Sequence, residues 1–380
     1  MIVKGGTWSF YPEDYQRRFI QRCFDAANGT DSTDLAQAHE RNETAHNRII
    51  GLTIETRPDY VTREEIRRLR EFGVTRVELG VQSLENRVLE LTRRDHTTRE
   101  VAQATQFLRD AGFKIAYHLM PNLPGATPDD DRNTFKRLFE DPAFQPDALK
   151  IYPCVVVESA ELSEWWRQGR FQPYDEETLL ELLVELKKMV PSYVRIERVV
   201  RDIAAPLVQA GCRQNNLRES VLKRMKTRGI SCRCIRCREV RCEPNGNFQL
   251  VRREYEASGG QEIFLSFEED NSGRLAALLR LRIAPNQAAM VRELHTYGRQ
   301  VPIGNQGVTA AQQEGGVVSL PLAKAMQHRG FGKRLMAEAE RIARDQFGIH
   351  RVQVIAGIGV RGYYRKLGYE EQDSYMVKEV

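Results

Sequence analysis

Between residues 51 and 199, short strand-like runs alternate with capped helices, and this alternation limits the fold more than any single motif. GLTIETRP (51–58) places Leu52 and Ile54 on one face and Thr53, Glu55 and Arg57 on the other. A helix follows, with Thr62 and Glu65 as a capping box, Ile66, Leu69 and Phe72 as its apolar stripe and Gly73 just past its end. TRVELGVQS (75–83) again alternates, Val77, Leu79 and Val81 against Glu78, Gly80 and Gln82. A second capped helix begins at Thr97 with Glu100, runs through Val101, Ala104 and Leu108, and stops at Gly112. FKIAYHLM (113–120), ALKIYP (148–153) and YVRIERV (193–199) read as further strands, with the helical DEETLLELLVELKKM (175–189) between the last two. The opening MIVKGGTWSF reads as a buried strand. Strands alternating with helices predict βαβ units and a parallel sheet. A flat, doubly wound sheet would be apolar on both faces. One apolar and one polar face instead predict a full or partial barrel with a functional lumen. Thr53, Glu55, Arg57, Glu78, Gln82, His118, Lys150 and Tyr152 would line it; the plainer reading leaves some of them on solvent-exposed strand faces.

A chain of 380 residues has room for two or three domains. With 41% hydrophobic residues it is too apolar to be wholly disordered. No run approaches the ~20 apolar residues of a membrane span, which excludes an integral helical membrane protein. The N-terminus lacks a basic region followed by an apolar one, so a cytoplasmic location is expected. Four of the seven cysteines, Cys232, Cys234, Cys237 and Cys242, crowd into one short stretch. In a reducing compartment that crowding points to a metal before disulfides. Four thiolates suit a structural zinc, which would pin a linker with too little apolar surface to fold alone. Cys232, Cys234 and Cys237 are the firmer ligands; the fourth is Cys242, Cys212 or a histidine from elsewhere, and an iron–sulfur cluster or free thiols are the alternatives.

Charge is concentrated in the same place. From Cys212 to Cys242 ten basic residues face only Glu219 and Glu239, a local net of +8. The whole chain is +5, so the remainder carries −3. Such a segment suits a polyanion, and Lys223, Arg224, Lys226, Arg228, Arg233, Arg236, Arg238 and Arg241 are the candidate contacts to RNA phosphates. Lys150, Lys187 and Lys188 are weaker candidates; a solvated charged face is the plainer reading of the run.

From Phe248 the pattern changes to four strands, FQLVRREYEA, EIFLSFEED, GRLAALLRLRIA and AAMVRELHTYG, then a Gly/Gln-rich loop. Gln327-His328-Arg329-Gly330-Phe331-Gly332 leads directly into the helix GFGKRLMAEAERIARDQFG. Glycines let successive backbone N–H groups converge, and a helix N-terminus adds partial positive charge, so the turn suits a pyrophosphate, with Arg329 and Lys333 beside it. Alone, the glycine spacing fits any loop-to-helix turn. Followed by the strand RVQVIAGI and the short helix GYYRKLG, it resembles the GNAT acetyltransferase fold. That resemblance implies acetyl-CoA: Glu293, Leu294, His295 and Thr296 on the pantetheine arm, Phe331, Gly332 and Lys333 on the pyrophosphate, and Tyr364 as the acid that protonates the departing thiolate, with Tyr363 as its competitor.

GGTWSFYPEDYQ, GLTIETRPDYV, TRVELGVQS, HLMPNLPG and SCRCIRCREV occur in this order. The set resembles the catalytic subunit of Elongator in its single-chain archaeal or bacterial form. The resemblance implies a partial TIM-like barrel of radical SAM type over residues 1–205, a basic cysteine-rich zinc linker over 206–247, and a GNAT domain over 248–380. It further implies an acyltransferase that adds a carboxymethyl-type group to carbon 5 of the wobble uridine of tRNA, met at the anticodon region. Gly5, Gly6 and Thr7 would contact the amino group of S-adenosylmethionine, with Glu55, Arg57, Gln82 and His118 near it; a tight strand exit is the plainer reading of the glycines. Radical SAM chemistry needs a four-iron cluster on a short three-cysteine motif before the glycine strand. Residues 1–60 hold only Cys23, so the chain is expected to be shortened at its N-terminus and unable to hold that cluster. The rivals are a protein lysine acetyltransferase, with Glu293 or His295 as base, and a non-catalytic tRNA-binding scaffold. A homodimer is compatible with either.

Overall fold

The computed structural model describes residues 1–241, 246–298 and 330–380. These fall into two compact units. Met1–Cys237, Glu256–Gly260 and Val354–Val377 form the first; Arg238–Tyr255, Gln261–Gln353 and Lys378–Val380 belong to the second.

The first unit turns the alternation into one parallel sheet. Its strands are β1 (Ile2–Val3), β2 (Leu52–Thr56), β3 (Val74–Gln82), β4 (Lys114–Leu119), β5 (Ala148–Ile151) and β7 (Arg195–Arg198), paired in that order. Helices α1 (Glu13–Asn28), α2 (Leu35–Thr44), α3 (Arg63–Glu71), α4 (Asn86–Leu91), α5 (Thr98–Asp110), α6 (Pro128–Glu140) and α8 (Glu176–Met189) connect these strands. Between β5 and α8 lie β6 (Val156–Val157) and the short α7 (Leu162–Arg167). The result is a half-barrel of six parallel strands. Its apolar strand faces meet the helices: Val77, Leu79 and Val81 are fully buried, as are Leu69 and Phe72 of the α3 segment, Leu108 of α5 and Leu182 and Leu186 of α8.

Local signals explain where these helices begin. Thr97 and Glu100 close a complete capping box at α5. At α3 only half of the box forms: Thr62 Oγ1 accepts from Glu65 N–H, while the Glu65 carboxylate accepts from Ser9 at 2.6 Å and pairs with Arg68. The start of the chain differs from expectation. β1 has two residues and pairs only with β2, and Ile2 is half exposed because an edge strand is covered on one side alone.

Residues 200–237 also differ. They are ordered into β8 (Val208–Ala210), α9 (Leu217–Thr227) and α10 (Ile235–Arg238). β8 pairs antiparallel with β6. The buried Leu217, Val221 and Met225 of α9 lie in the main core, so this stretch belongs to the first unit. Spacing of four along α9 is too sparse to stand out in a run this basic. Residues 354–377, with α12 (Arg361–Arg365) and the hairpin β14 (Glu370–Gln372) to β15 (Tyr375–Glu379), also lie in the first unit, apart from the last residues of β15. There Gly357 runs against backbone: a Cβ at this position would sit 2.2 Å from Ile50 O.

The second unit is a sheet of β9 (Phe248–Ala257), β10 (Gly260–Glu269), β11 (Leu275–Ile283), β12 (Ala289–Thr296) and β13 (Arg351–Val354) with helix α11 (Phe331–Phe347). β10–β11 and β11–β12 are antiparallel hairpins. The register slips between Arg280 and Leu281: Arg280 faces Glu293 and Leu281 faces Val291. Arg292 is therefore the extra residue of a β-bulge. Its guanidinium reaches Glu262 Oε2 at 3.0 and 3.1 Å, while Arg282 reaches Glu262 Oε1 at 3.2 Å. All three side chains are at most 1% exposed. A buried carboxylate between two guanidiniums is costly to break from one side, because uncompensated charge stays behind. Glu262→Gln is expected to lower stability by about 3–5 kcal/mol in thermal unfolding followed by circular dichroism. Glu254→Gln, at a partly exposed pair with Arg252, is expected to cost less than about 1 kcal/mol.

Candidate active and cofactor sites

Four neighbouring strands place charged side chains on the inner face of the half-barrel. Glu55 is opposite Glu78, and His118 is opposite Lys150. His118 Nε2 lies 2.8 Å from Glu78 Oε2, and its Nδ1 lies 3.4 Å from Glu55 Oε1. The Lys150 ammonium donates to the same Glu78 oxygen. Arg76 reaches the other Glu78 oxygen at 3.0 Å and Glu197 at 2.6 Å. The Tyr152 ring meets His118 edge-on. Glu78, His118 and Lys150 are buried, so these residues line an interior and not a solvent face. The alternating pattern placed them; their pairing into one chain was not readable in the sequence, since 40 and 72 residues separate His118 and Lys150 from Glu78.

Burial alone would push the Glu78 carboxyl up, but the His118 hydrogen bond, Arg76 and Lys150 bring it down to about 2. Burial would lower the His118 pKa; hydrogen bonds and attraction from Glu55 and Glu78 outweigh it and hold the ring above the usual histidine value. The other expected residues sit around this chain. Arg57 is held by Asp59 at 2.6 Å and Asp95 at 3.2 Å and lies over the Tyr60 ring. Gln82 takes a left-handed backbone (φ 67°), and its carbonyl accepts from Met120 N–H at 2.8 Å. Gly5 and Gly6 are exposed with φ of 107° and 67°, and a Cβ on either would meet nothing within 4 Å. Backbone conformation, not space, requires glycine there. Thr7 precedes a short 3-10 turn and makes no side-chain cap. The partly exposed Glu55 carboxylate can accept from an ammonium, which suits the amino group of S-adenosylmethionine; Arg57 is already committed to carboxylates.

The network has a defined pH window. Glu78, with its lowered pKa, adds stability above its ordinary 4.5, lost as pH falls towards 2. His118, with its raised pKa, adds stability below its ordinary 6.5, lost as pH rises through the folded-state value. An NMR titration of His118 should therefore show a midpoint above 6.5, and Glu78→Gln should move it down.

A second cluster lies in the segment after β7. The Sγ atoms of Cys232, Cys234 and Cys237 are all within 4.8 Å of one another. Four-coordinate zinc with Zn–S bonds of about 2.3 Å needs sulfurs about 3.8 Å apart, so the triad can hold such an ion with little movement. The Cys234 thiol is pushed strongly down by hydrogen bonds from the Cys232 and Cys237 thiols, with help from Lys187. Lys187 was expected as a weak RNA contact. Instead it is fully buried, its Nζ has no hydrogen-bond acceptor among the described residues, and its charge acts on Cys234 and Cys237. Helical periodicity sets it on the inner face of α8, which a lysine seldom occupies. Lys150 is likewise buried, whereas Lys188 is exposed. Cys242 lies outside the described residues.

In the second unit Gly330, in a left-handed conformation (φ 73°), starts α11, and no acidic residue occupies the first turn. The first N–H groups of a helix have no acceptor within it, so Phe331, Gly332 and Lys333 offer backbone donors and a positive helix end to an anion. Lys333 is exposed, and the Phe331 ring is core, 4.5 Å from the Phe267 ring, so Phe331 can serve through its backbone alone. Gln327, His328 and Arg329 lie outside the described residues, as does the loop 304–316. On β12, Glu293 accepts from Arg280 at 2.9 Å, His295 stacks on Tyr297 at 4.4 Å, and Leu294 and Thr296 are half-buried. In the first unit α12 turns Tyr364 inward and leaves Tyr363 half-buried. Burial pushes the Tyr364 phenol well above its ordinary value, so it holds its proton.

Three family models match. The Radical SAM superfamily covers residues 16–138, the Radical_SAM C-terminal domain 146–227 and the acetyltransferase (GNAT) family 235–369. A "tRNA uridine(34) acetyltransferase" of Methanocaldococcus jannaschii is 44% identical over 394 residues, spanning 100% of this chain and 70% of that protein. "Elongator complex protein 3" of Homo sapiens is 41% identical over 392 residues, spanning 99% of this chain and 69% of that protein. The chain belongs to the Elongator complex protein 3 family. A solved archaeal Elp3 of Methanocaldococcus infernus with an N-terminal deletion superposes with TM-score 0.90 and 43% identity, covering 100% of this chain and 89% of that one.

Membership in the Elongator complex protein 3 family implies S-adenosylmethionine, an iron–sulfur cluster and acetyl-CoA. For the first, Glu55 offers an acceptor to an ammonium; for the last, the start of α11 offers backbone donors to an anion. Among the described residues the three-thiol group is Cys232, Cys234 and Cys237, after the barrel strands. Cys23 is a single thiol on α1, so the residues at β1 do not fit a cluster. The basic run is divided in use. Arg224 on α9 binds Glu177 and Glu181 of α8, and Arg228, just past the end of α9, binds Glu181, holding the two helices together. Arg238 pairs with Glu268 at 3.0 Å and Arg241 lies 3.9 Å from Glu239. Arg233 is exposed and Arg236 half-buried, and both interact within the protein. Lys223 and Lys226 point to solvent. Among the described residues no helix is long and apolar enough to cross a membrane.

Proposed function

We propose that this chain is a tRNA-dependent acyltransferase that uses acetyl-CoA to build a carboxymethyl-type group on carbon 5 of the wobble uridine. End-to-end similarity to a protein named tRNA uridine(34) acetyltransferase carries the reading. The roles follow from chemistry at named atoms. The N-terminus of α11 receives the CoA pyrophosphate through the N–H groups of Phe331, Gly332 and Lys333. The β12 edge from Glu293 to Thr296 takes the pantetheine arm. Tyr364, protonated at neutral pH, gives its proton to the departing thiolate. Glu55 receives the ammonium of S-adenosylmethionine, and the His118–Glu78–Lys150 chain keeps that carboxylate oriented and the lumen charged. S-adenosylmethionine would supply the radical chemistry of its superfamily only beside an iron–sulfur cluster, which the residues at β1 do not fit. Lys223 and Lys226 meet tRNA phosphates near the anticodon, and Cys232, Cys234 and Cys237 hold a structural zinc.

Free CoA released from acetyl-CoA, measured with and without tRNA, tests the reading. Release is expected only with tRNA, and Tyr364→Phe is expected to cut it by about 10²-fold or more. Release that ignores tRNA, or that follows basic peptides, would overturn the proposal. Elemental analysis of the purified chain should find one zinc per molecule, and Cys234→Ser should remove it along with part of the thermal stability.

A further inference from the structure

A cavity of about 340 Å³ opens in the first unit, among the connections that follow β3, β4 and β5. It lies at the carboxyl ends of the parallel strands, where barrel sites form. Its walls are Leu91 at the end of α4, Leu123 and Pro124 after β4, Cys154 after β5 and Trp165 on α7. None of these residues belongs to the charge chain, the thiol triad or the acetyl-CoA groups.

Most of the wall is apolar, and the polar groups are few. Burial pushes the Cys154 thiol up to about 12, so it stays neutral. Arg94 lines the cavity; among the described residues its Nε is buried with no hydrogen-bond acceptor, and its Nη2 has only the Met120 sulfur at 3.3 Å. A buried guanidinium N–H without an acceptor is expensive unless a ligand supplies one. Arg170 lies over the half-buried Trp165 ring, 4.7 Å from its centroid, and steadies it by a cation–π contact. Arg93 and Glu161, 3.2 Å apart, also belong to the wall and stay largely exposed to solvent. The backbone is set for this shape. Arg93 and Asp95 take left-handed conformations, and a Cβ on Gly125 (φ 81°) would meet Leu91 at 2.7 Å.

The volume is at the low end of ligand sites, roughly 300–1,000 Å³, so it suits one ring system with its sugar and not a whole dinucleotide. A ring-stacking surface, an apolar opposite wall and one unsatisfied donor describe a receptor for a flat heterocycle with a carbonyl edge. We infer that this pocket takes one unstacked nucleobase of the RNA substrate, stacked on Trp165 and accepting a hydrogen bond from the Arg94 guanidinium. Enzymes that act on a base draw it out of the stack and hold it in this manner. The inference rests on the tRNA reading above and assigns the residues that would read the base.

Binding of a fluorescein-labelled anticodon stem-loop, followed by anisotropy, tests it, with full-length tRNA beside it. Trp165→Ala should weaken binding about tenfold, the scale of losing one base–aromatic stack. Arg94→Gln should weaken it several-fold. Trp165→Phe, which keeps a stacking ring, should stay within about threefold of wild type and shows that the fold tolerates change there. The slope of log affinity against log salt should stay the same in all variants, because no phosphate contact is removed. A stem-loop abasic at the wobble position should bind wild type and Trp165→Ala equally. If wild type binds tRNA and both variants bind as well as it does, the pocket assignment fails while the tRNA reading stands. If wild type binds neither RNA, the tRNA reading fails and the assignment with it. Trp165-dependent binding of S-adenosylmethionine, with RNA affinity unmoved, overturns the assignment in favour of a cofactor pocket.

Discussion

The interior of the half-barrel depends on one carboxylate. Glu78 receives His118 and Lys150 on one oxygen and Arg76 on the other, with no exposure to water. These cations arrive from β4, β5 and β3 itself. Only a parallel sheet in this register delivers them to one point, because alternate residues of each strand share a face. Deleting the carboxylate would leave buried cations without compensation, a loss far larger than that of a surface ion pair. The same arrangement gives the lumen its chemistry. Glu55, the partly exposed end of the chain, is oriented by His118 and so can meet an ammonium without first reorganising.

The second unit solves a similar problem independently. Glu262 lies between Arg282 and Arg292, and a bulge at Arg292 makes the double contact feasible. The bulge also resets the strand beyond it, so that Glu293 faces Arg280. The edge from Glu293 to Thr296, assigned to the pantetheine arm, thus begins where regular pairing is broken. In both units, buried ion pairs hold fixed the backbone next to a proposed ligand.

Local chemistry was readable wherever the partners are a few residues apart. Thr97 and Glu100 form their capping box as expected, and Gly330 stands at the start of α11. Thr62 and Glu65 carry the same signature, yet Glu65 turns to Ser9 and Arg68, because tertiary partners outbid a single N–H. The basic run shows the opposite limit. Its charge was plain in the sequence, but α8 offers Glu177 and Glu181 to Arg224 and Arg228, and only neighbours in space determine which cations remain for a ligand. Lys187 was misplaced for the same reason: a lysine inside a helix reads as solvent-facing until its helix is packed.

By itself the sequence determined the parallel α/β half-barrel, the cysteine-rich segment after it, the GNAT domain and the family, since each rests on periodicity or on short motifs whose spacing is local. The tertiary structure decided which polar residues meet. It joined Glu55, Glu78, His118 and Lys150 into one chain and brought Arg94, Cys154 and Trp165 around one cavity. It also turned Tyr364 inward and left Tyr363 half-buried on a helix of five residues, too short for an apolar stripe to announce its buried side. Periodicity assigns a residue to a face; the loops and neighbouring strands that set its partners are specified only when the whole chain has packed.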